Sequence, residues 1–140
     1  MAAAATRIEP ERLPRLRAAA QLLHRPTSIT EPVEVARGAA GIQAQDPYAA
    51  RLSFRSRSRR LTAADVDRAR TQDRSLLRTW LMRMTIHIVP TDDAGWLLPL
   101  FEPRIEKWSR TRLGQLGMPT RTQDKALRAP RSRARRWPSG

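Results

Sequence analysis

The segment LLRTWLMRMTIHIV, residues 76–89, contains the clearest structural signal in the sequence. Its second half alternates apolar and polar side chains with a period of two, in the order Arg83, Met84, Thr85, Ile86, His87 and Ile88. This alternation is typical of a β-strand, in which successive side chains point to opposite faces. We predict a two-stranded hairpin over about Leu76–Leu81 and Met84–Val89.

Helical patterns lie on both sides of the predicted hairpin. Apolar residues recur at helical spacing, and Thr30, Asp46 and Thr62 stand where N-caps are expected. Thr62 and Asp65 resemble a capping box. Trp80 is expected in the core. The predicted helices are Leu13–Leu23, Glu31–Ala40, Pro47–Ser56, Thr62–Arg70, a helix that starts at Thr91 and carries the expected core residue Trp96, and Pro103–Leu116.

Helices followed by a hairpin in a small basic chain predict a mostly helical winged helix-turn-helix domain, with the hairpin as the wing. The alternative is an α+β domain whose hairpin only covers the core. We assign residues 1–10 to a flexible N-terminus, 11–125 to the domain and 126–140 to a basic tail. The segment Arg128–Gly140 has no Leu, Ile, Val or Phe, so we expect disorder. It is either a nucleic-acid-binding tail or, the reading we favour, an out-of-frame translation.

The charge balance favours a polyanionic partner. The 140 residues include 27 Lys and Arg against 13 Asp and Glu, a formal net charge of +14, although a GC-rich genome also favours arginine. The chain has no cysteine and only two histidines, His24 and His87, so we expect no metal site and no cofactor. No segment is apolar enough to cross a membrane. We expect a cytoplasmic, nucleoid-associated monomer with double-stranded DNA as its partner.

The connector between the second and third helices contains a pair of glutamines, Gln43 and Gln45, on either side of Ala44. In an extended backbone both amides face one side and Ala44 faces the other. On spacing alone, polar residues in a connector more often have no catalytic role. Asp46 is better explained as a helix cap than as an acid.

Several motifs in the same order resemble the AlkZ-like winged-helix DNA glycosylases. They are GIQAQDPYAARLSF at 41–54, LTAADVDRA at 61–69, SLLRTWLMRMTIHIVP at 75–90 and DDAGWLLPLF at 92–101. The resemblance covers roughly residues 10–127. The resemblance implies that this chain is part of a protein with tandem winged-helix domains, and that the protein excises bulky or cross-linked alkylated purines from DNA.

The catalytic motif of that family is Gln, a hydrophobic residue, then Gln or Asp, which implies that Gln43 and Gln45 are the catalytic residues. A glutamine amide positions water but has no useful pKa, so it suits a substrate whose purine is already cationic. No reactive lysine amine lies nearby, so no Schiff-base lyase step is expected.

The sequence departs from the family pattern in two ways. The family usually has glycine where this chain has Met84, and its members are much longer, so we expect an N-terminal portion with weak or no activity.

Six further residues are candidate DNA contacts. Two lie on one face of the third helix, where a solvated face is the alternative, and four lie on the hairpin, where His87 is more often a hydrogen-bonded structural residue. The alternative function is a non-enzymatic winged-helix module that binds DNA, and a third class is a protein-interaction module or inert fragment. The candidate DNA contacts are Arg51, Arg55, Arg78, Arg83, Thr85 and His87.

Overall fold

A computed structural model describes residues 8–126 of the chain. The predicted flexible N-terminus is therefore described only from residue 8 onward. The predicted tail, 126–140, is described only at its first residue, and the segment Arg128–Gly140, where we expect disorder, lies outside the described residues. The chain divides into two compact units, Met1–Leu98 and Pro99–Gly140.

The described residues are mostly helical and include a small antiparallel sheet, so the predicted winged-helix-like fold class is confirmed. Short 3-10 turns at Pro10–Arg12 and Met82–Met84 and a helical segment at 120–126 complete the structure. The named elements in chain order are α1 (Leu13–Ala20), α2 (Pro32–Gly38), β1 (Ile42–Gln43), α3 (Pro47–Arg57), α4 (Ala63–Thr71), β2 (Leu76–Trp80), β3 (Ile86–Pro90) and α5 (Ala94–Gln115).

The sheet has the strand order β1-β3-β2, with β3 antiparallel to both neighbours. The β2–β3 hairpin is the predicted one, but β3 begins at Ile86, since Arg83 and Met84 have φ values of 53° and 62° that no strand residue adopts. The third strand, β1, was not predicted, because it lies in the segment read as a polar connector. It places the glutamine motif directly on the sheet.

The core lies in the first unit and is formed by the apolar sides of α2, α3 and α4 against the sheet. Phe54 and Val35 are fully buried, and Ile88 is 2% exposed at the centre of the sheet. The core cluster comprises Val35, Ala36, Ala39, Ile42, Ala44, Ala50, Phe54, Leu61, Val66, Ala69, Leu76 and Ile88. The motif residue Ala44 belongs to this cluster, so its contacts with the core hold the backbone of the glutamine motif in place.

Two predicted helix caps are present in the structure. The Ala49 N–H donates to Asp46 Oδ1 at 2.8 Å, which caps α3 directly after the glutamine motif. Thr62 and Asp65 form the capping box of α4, with Asp65 Oδ2 accepting from the Thr62 N–H at 2.9 Å. The hydrogen bonds from Thr62, side chain first and backbone second, hold the pKa of Asp65 below its ordinary value. The cap predicted at Thr30 is wrong, because Glu31 is the N-cap of α2 and makes no side-chain cap bond.

The first and last helices differ from the sequence prediction. Helix α1 ends at Ala20 instead of Leu23, because Leu22 adopts a left-handed φ of 57° and the Leu23 N–H donates to Ala18 O at 2.7 Å. Helix α5 is continuous where two helices were predicted. It contains Pro99 and Pro103, each of which removes one backbone hydrogen bond without ending the helix.

The two tryptophans expected in the core are also exposed, Trp80 by 40% and Trp96 by 60%. Their apolar sequence neighbours therefore misled the prediction.

In the second unit, Arg110 donates to Asp124 at 2.7 Å and to Glu106 at 3.0 Å. These hydrogen bonds, that of Asp124 first, raise the pKa of Arg110 above its ordinary value.

Candidate functional site

A tight turn after α2 delivers the chain into the glutamine motif. The Gly41 N–H donates to Ala36 O at 2.7 Å, and Gly41 has a φ of 103°. The positive φ favours glycine, and a Cβ at this position would also crowd Val89, since it would lie 3.0 Å from Val89 Cγ1. The turn at Gly41 therefore fixes the point at which strand β1 begins.

The motif alternates between solvent and core. Ala44 is 1% exposed, whereas Gln43 and Gln45 are both exposed. This is the pattern expected for a pair of amides that flanks a buried residue on an extended backbone. The structure thus presents both glutamines at the surface and fixes the residue between them.

Gln43 lies in a row of polar residues that crosses the sheet. Its Cα is paired with that of His87, which in turn is paired with Thr79, and paired residues share a face. His87 is 7% exposed, and its Nδ1–H donates to the Thr85 carbonyl at 3.1 Å. Burial leaves little of the imidazole ring open to a DNA contact.

The side chain of Gln45 bonds to the backbone of β3, just beyond the end of β1. Its Oε1 accepts from the Ile86 N–H at 3.2 Å, while the Ala44 N–H donates to Ile86 O at 2.8 Å. Because Ile86 N is a donor, the bonded atom of the amide must be the oxygen. The Nε2 of Gln45 therefore remains available to donate to a ligand.

Arg78 reaches the backbone of the motif. Its Nε and Nη2 donate to the Ala44 carbonyl at 3.2 and 3.1 Å, across a separation of 34 residues. The sequence placed Arg78 among the candidate DNA contacts. In the structure its guanidinium is bonded to the carbonyl between the two glutamines, although the residue is exposed.

The two candidate arginines of α3 are also bonded within the fold. Arg51 pairs with Asp67, with Nε–Oδ1 and Nη2–Oδ2 distances of 3.1 and 2.9 Å, and its guanidinium lies 5.4 Å from the centre of the Tyr48 ring. Arg55 donates to the Ser58 and Arg59 carbonyls. A phosphate contact by either arginine would have to share or replace these bonds.

The hairpin turn presents the remaining candidates. Arg83 is exposed in a left-handed conformation, and no hydrogen bond or ion pair holds its side chain among residues 8–126. Thr85 is half-buried and its Oγ1 donates to the Met82 carbonyl at 2.9 Å. Arg83 is therefore the candidate whose charge is most available to a partner.

Sequence reasoning missed two features of this region. Tyr48 is 75% exposed three residues after Gln45, although its place on an amphipathic helix gave no sign of exposure. A cleft of about 290 Å³ lies beside the Gly41 turn and is lined by Gly41, Val89 and Trp96, among others, but not by either glutamine. In the sequence, Gly41 was the residue that could have indicated the cleft, because a glycine often marks a close approach of two segments.

The part of the chain that the structure describes has no group of three or more His, Cys, Asp or Glu residues arranged to hold a metal ion. Nor does any of the described helices have the length and apolarity required to cross a bilayer.

The fold and the exposed glutamine pair define a winged-helix-like domain with a polar site on its sheet. Residues 36–137 match the model of the family described as DNA glycosylase AlkZ-like, and the chain belongs to this family. Among solved structures, it is similar to the Streptomyces sahachiroi DNA glycosylase AlkZ, with 32% sequence identity and a TM-score of 0.52. That similarity covers 59% of this chain and 22% of the other, so the chain spans about a fifth of the solved protein. No curated protein matches the sequence.

Proposed function

We propose that this chain is the motif-bearing portion of a monofunctional DNA glycosylase that releases alkylated or cross-linked purines from double-stranded DNA in the cytoplasm. The observation that carries this proposal is the exposure of Gln43 and Gln45 on either side of the buried Ala44, in a member of the AlkZ-like family.

The proposed reaction is hydrolysis of an N-glycosidic bond. The oxygen of a water molecule adds to C1′ of the sugar, the C1′–N bond breaks with its electron pair leaving on the purine, and the water proton passes to solvent. An N-alkylated purine already carries positive charge and leaves as a neutral base. Neutral amides are sufficient for such a substrate, because they orient the water without having to remove its proton in advance.

The two glutamines have different donor and acceptor capacity. Gln45 has its Oε1 on the Ile86 N–H, so its Nε2 is the group offered to a sugar or base acceptor. Gln43 is exposed, and no hydrogen bond holds its side chain within the described residues. We assign Gln43 to the water and Gln45 to the sugar or base.

DNA contact is proposed at the hairpin turn and on α3. Arg83 is exposed and its charge is not paired within residues 8–126. Arg51 and Arg55 contribute only if phosphates share their present bonds. Contacts of this kind bind the backbone of DNA without reading its sequence.

Base release from a duplex that contains an N-alkylguanine tests the enzymatic proposal. With protein in excess, slow release is expected, since an extruded base must be held in a pocket and both glutamines stand on an open surface. Gln43→Ala and Gln45→Ala should each slow release about tenfold or more, and the exposed glutamine variant Gln72→Ala should not. Undiminished release by both motif variants would refute the assignment of the site.

A second candidate is a DNA-binding module without base excision, favoured by the net charge of +14 and by Arg83 at the exposed turn. This candidate predicts duplex binding that weakens steeply as salt rises, because bound counterions are released from the phosphates. Salt-dependent binding with no base release by the wild-type chain would select it. Absence of binding even at low salt would exclude both candidates.

A further inference from the structure

The ladder between β1 and β3 has an unusual last step. The register pairs Ile42 with Ile88 and Gln43 with His87, which places Ala44 opposite Ile86. In a regular antiparallel sheet, two residues bonded at such a position exchange both N–H···O bonds. Here only the bond from the Ala44 N–H to Ile86 O is made, at 2.8 Å.

Two side chains replace the second bond of this pair. The Ile86 N–H donates to Gln45 Oε1 at 3.2 Å, and the Ala44 carbonyl accepts from Arg78 Nε and Nη2 at 3.2 and 3.1 Å. While Arg78 holds the Ala44 carbonyl, the Ile86 N–H is left to Gln45. If the Ala44 carbonyl returned to the Ile86 N–H, Gln45 would have to share or lose its partner.

We propose that Arg78 is a positioning residue for the glutamine pair. Its guanidinium holds the Ala44 carbonyl away from the Ile86 N–H, which leaves that N–H to orient the Gln45 amide with Nε2 outward. This proposal rests on the proposed function of Gln43 and Gln45, and it replaces a phosphate contact as the main role of Arg78.

The residue type fits this role. Arginine presents donors in a rigid planar fork, and two of them converge on one carbonyl oxygen here. Lysine would supply a single mobile ammonium group on a flexible stem and would hold the carbonyl less firmly. Arg78 lies on the central part of β2, with its Cα paired with that of Ile88, so the sheet itself sets the starting point of the side chain.

The first experiment follows the side-chain amide of Gln45 by nitrogen-15 relaxation in the full chain, with assignment by Gln45→Ala. The comparison is Arg78→Met with Arg83→Met, which removes the same charge from the turn of the same hairpin. The amide should be ordered in the wild type and in Arg83→Met, mobile in Arg78→Met, and intermediate in Arg78→Lys. An equally ordered Gln45 amide in a folded Arg78→Met or Arg78→Lys variant would overturn the proposal.

The second experiment separates positioning from phosphate contact. Arg78→Met should leave the salt dependence of duplex binding unchanged, whereas loss of a phosphate contact lowers the slope of log K against log salt by about 0.9. A lowered slope for Arg78→Met would overturn the proposal.

The third measurement is base release. Arg78→Met should slow single-turnover release by about tenfold or more with little change in duplex affinity, since a misplaced group loses rate rather than binding. Release at the wild-type rate would overturn the proposal. No release by the wild type would instead defeat the proposed glycosylase function, and the amide relaxation would still decide whether Arg78 positions Gln45.

Discussion

Two segments next to the start of β3 are held in different ways. The glutamine segment, residues 42–45, is fixed by the core through Ala44, by ladder bonds to β3 and by Arg78 from β2. The hairpin turn, residues 82–84, is held by bonds between near neighbours, such as the Met84 N–H to Leu81 O at 3.1 Å. Two consecutive residues there, Arg83 and Met84, have left-handed φ values.

This difference shows which backbone segment the fold holds firmly. Contacts from distant parts of the chain converge on the backbone that carries Gln43 and Gln45, so those amides have a defined place. The turn has a defined path but keeps backbone strain, since non-glycine residues with positive φ are costly. An exposed arginine at a strained turn suits a contact with phosphates, which needs charge more than exact placement.

The largest expected effect comes from removing the apolar support beneath the motif. Ile88→Ala takes away a side chain that is 2% exposed and paired with Ile42 across the sheet, and it should lower the free energy of unfolding by about 2–5 kcal/mol. The measurement is urea denaturation followed by circular dichroism. Leu52→Ala, at a residue that is 70% exposed, is the control and should change stability by less than about 0.5 kcal/mol. Equal losses in the two variants would contradict the location of the core.

The next effect comes from crowding the motif itself. Ala44→Leu forces a larger side chain into a site that is 1% exposed, and it should cost about 1–3 kcal/mol. Because the added volume must push β1 away from the core, the bond from the Ile86 N–H to Gln45 should open as well. Amide hydrogen exchange at Ile86 measures this, with the Val66 amide in α4 as an internal reference. Unchanged exchange at Ile86 would show that the motif is not fixed by the core.

The sequence predicted the parts of this fold that depend on local chemistry. Asp46 and Thr62 were identified as caps because a side-chain oxygen three residues before a free N–H is a local arrangement. The hairpin was identified because alternation extends over six residues. The caps and the hairpin therefore follow from short-range patterns.

The parts that the sequence did not predict depend on distance or on strain. Strand β1 is two residues long, too short for a periodic signal, and it exists because β3 offers it an edge. The bond of Arg78 to the Ala44 carbonyl joins residues 34 positions apart. Trp96 stands in an apolar run but is exposed, because local hydrophobicity does not show which side of a helix meets the core.

A smaller effect is expected from the cap that follows the motif. Asp46→Ala removes the acceptor of the Ala49 N–H and should lower the free energy of unfolding by about 1 kcal/mol, whereas Asp46→Asn retains an oxygen and should lose less. The same denaturation experiment compares the three proteins. Since the cap bond lies within the first turn of α3, its loss should leave the hairpin turn at Arg83 unchanged. A loss in Asp46→Asn as large as that in Asp46→Ala would assign the effect to charge and not to capping.

The smallest effect is expected at the turn, and its sign is opposite. Met84 has a φ of 62°, and a left-handed conformation costs a residue with a Cβ roughly 1–2 kcal/mol. Met84→Gly removes that strain but adds freedom to the unfolded chain, so its free energy of unfolding should exceed that of Met84→Ala by about 0.5–1 kcal/mol. Met84→Ala is the matched control, since it removes the same half-buried side chain and keeps the Cβ. It should show no gain. A gain in Met84→Ala equal to that in Met84→Gly would mean that the side chain, and not the backbone, is unfavourable at this position. A loss in Met84→Gly larger than that in Met84→Ala would show that the turn is not strained and that the contrast between the glutamine segment and the hairpin turn is wrong.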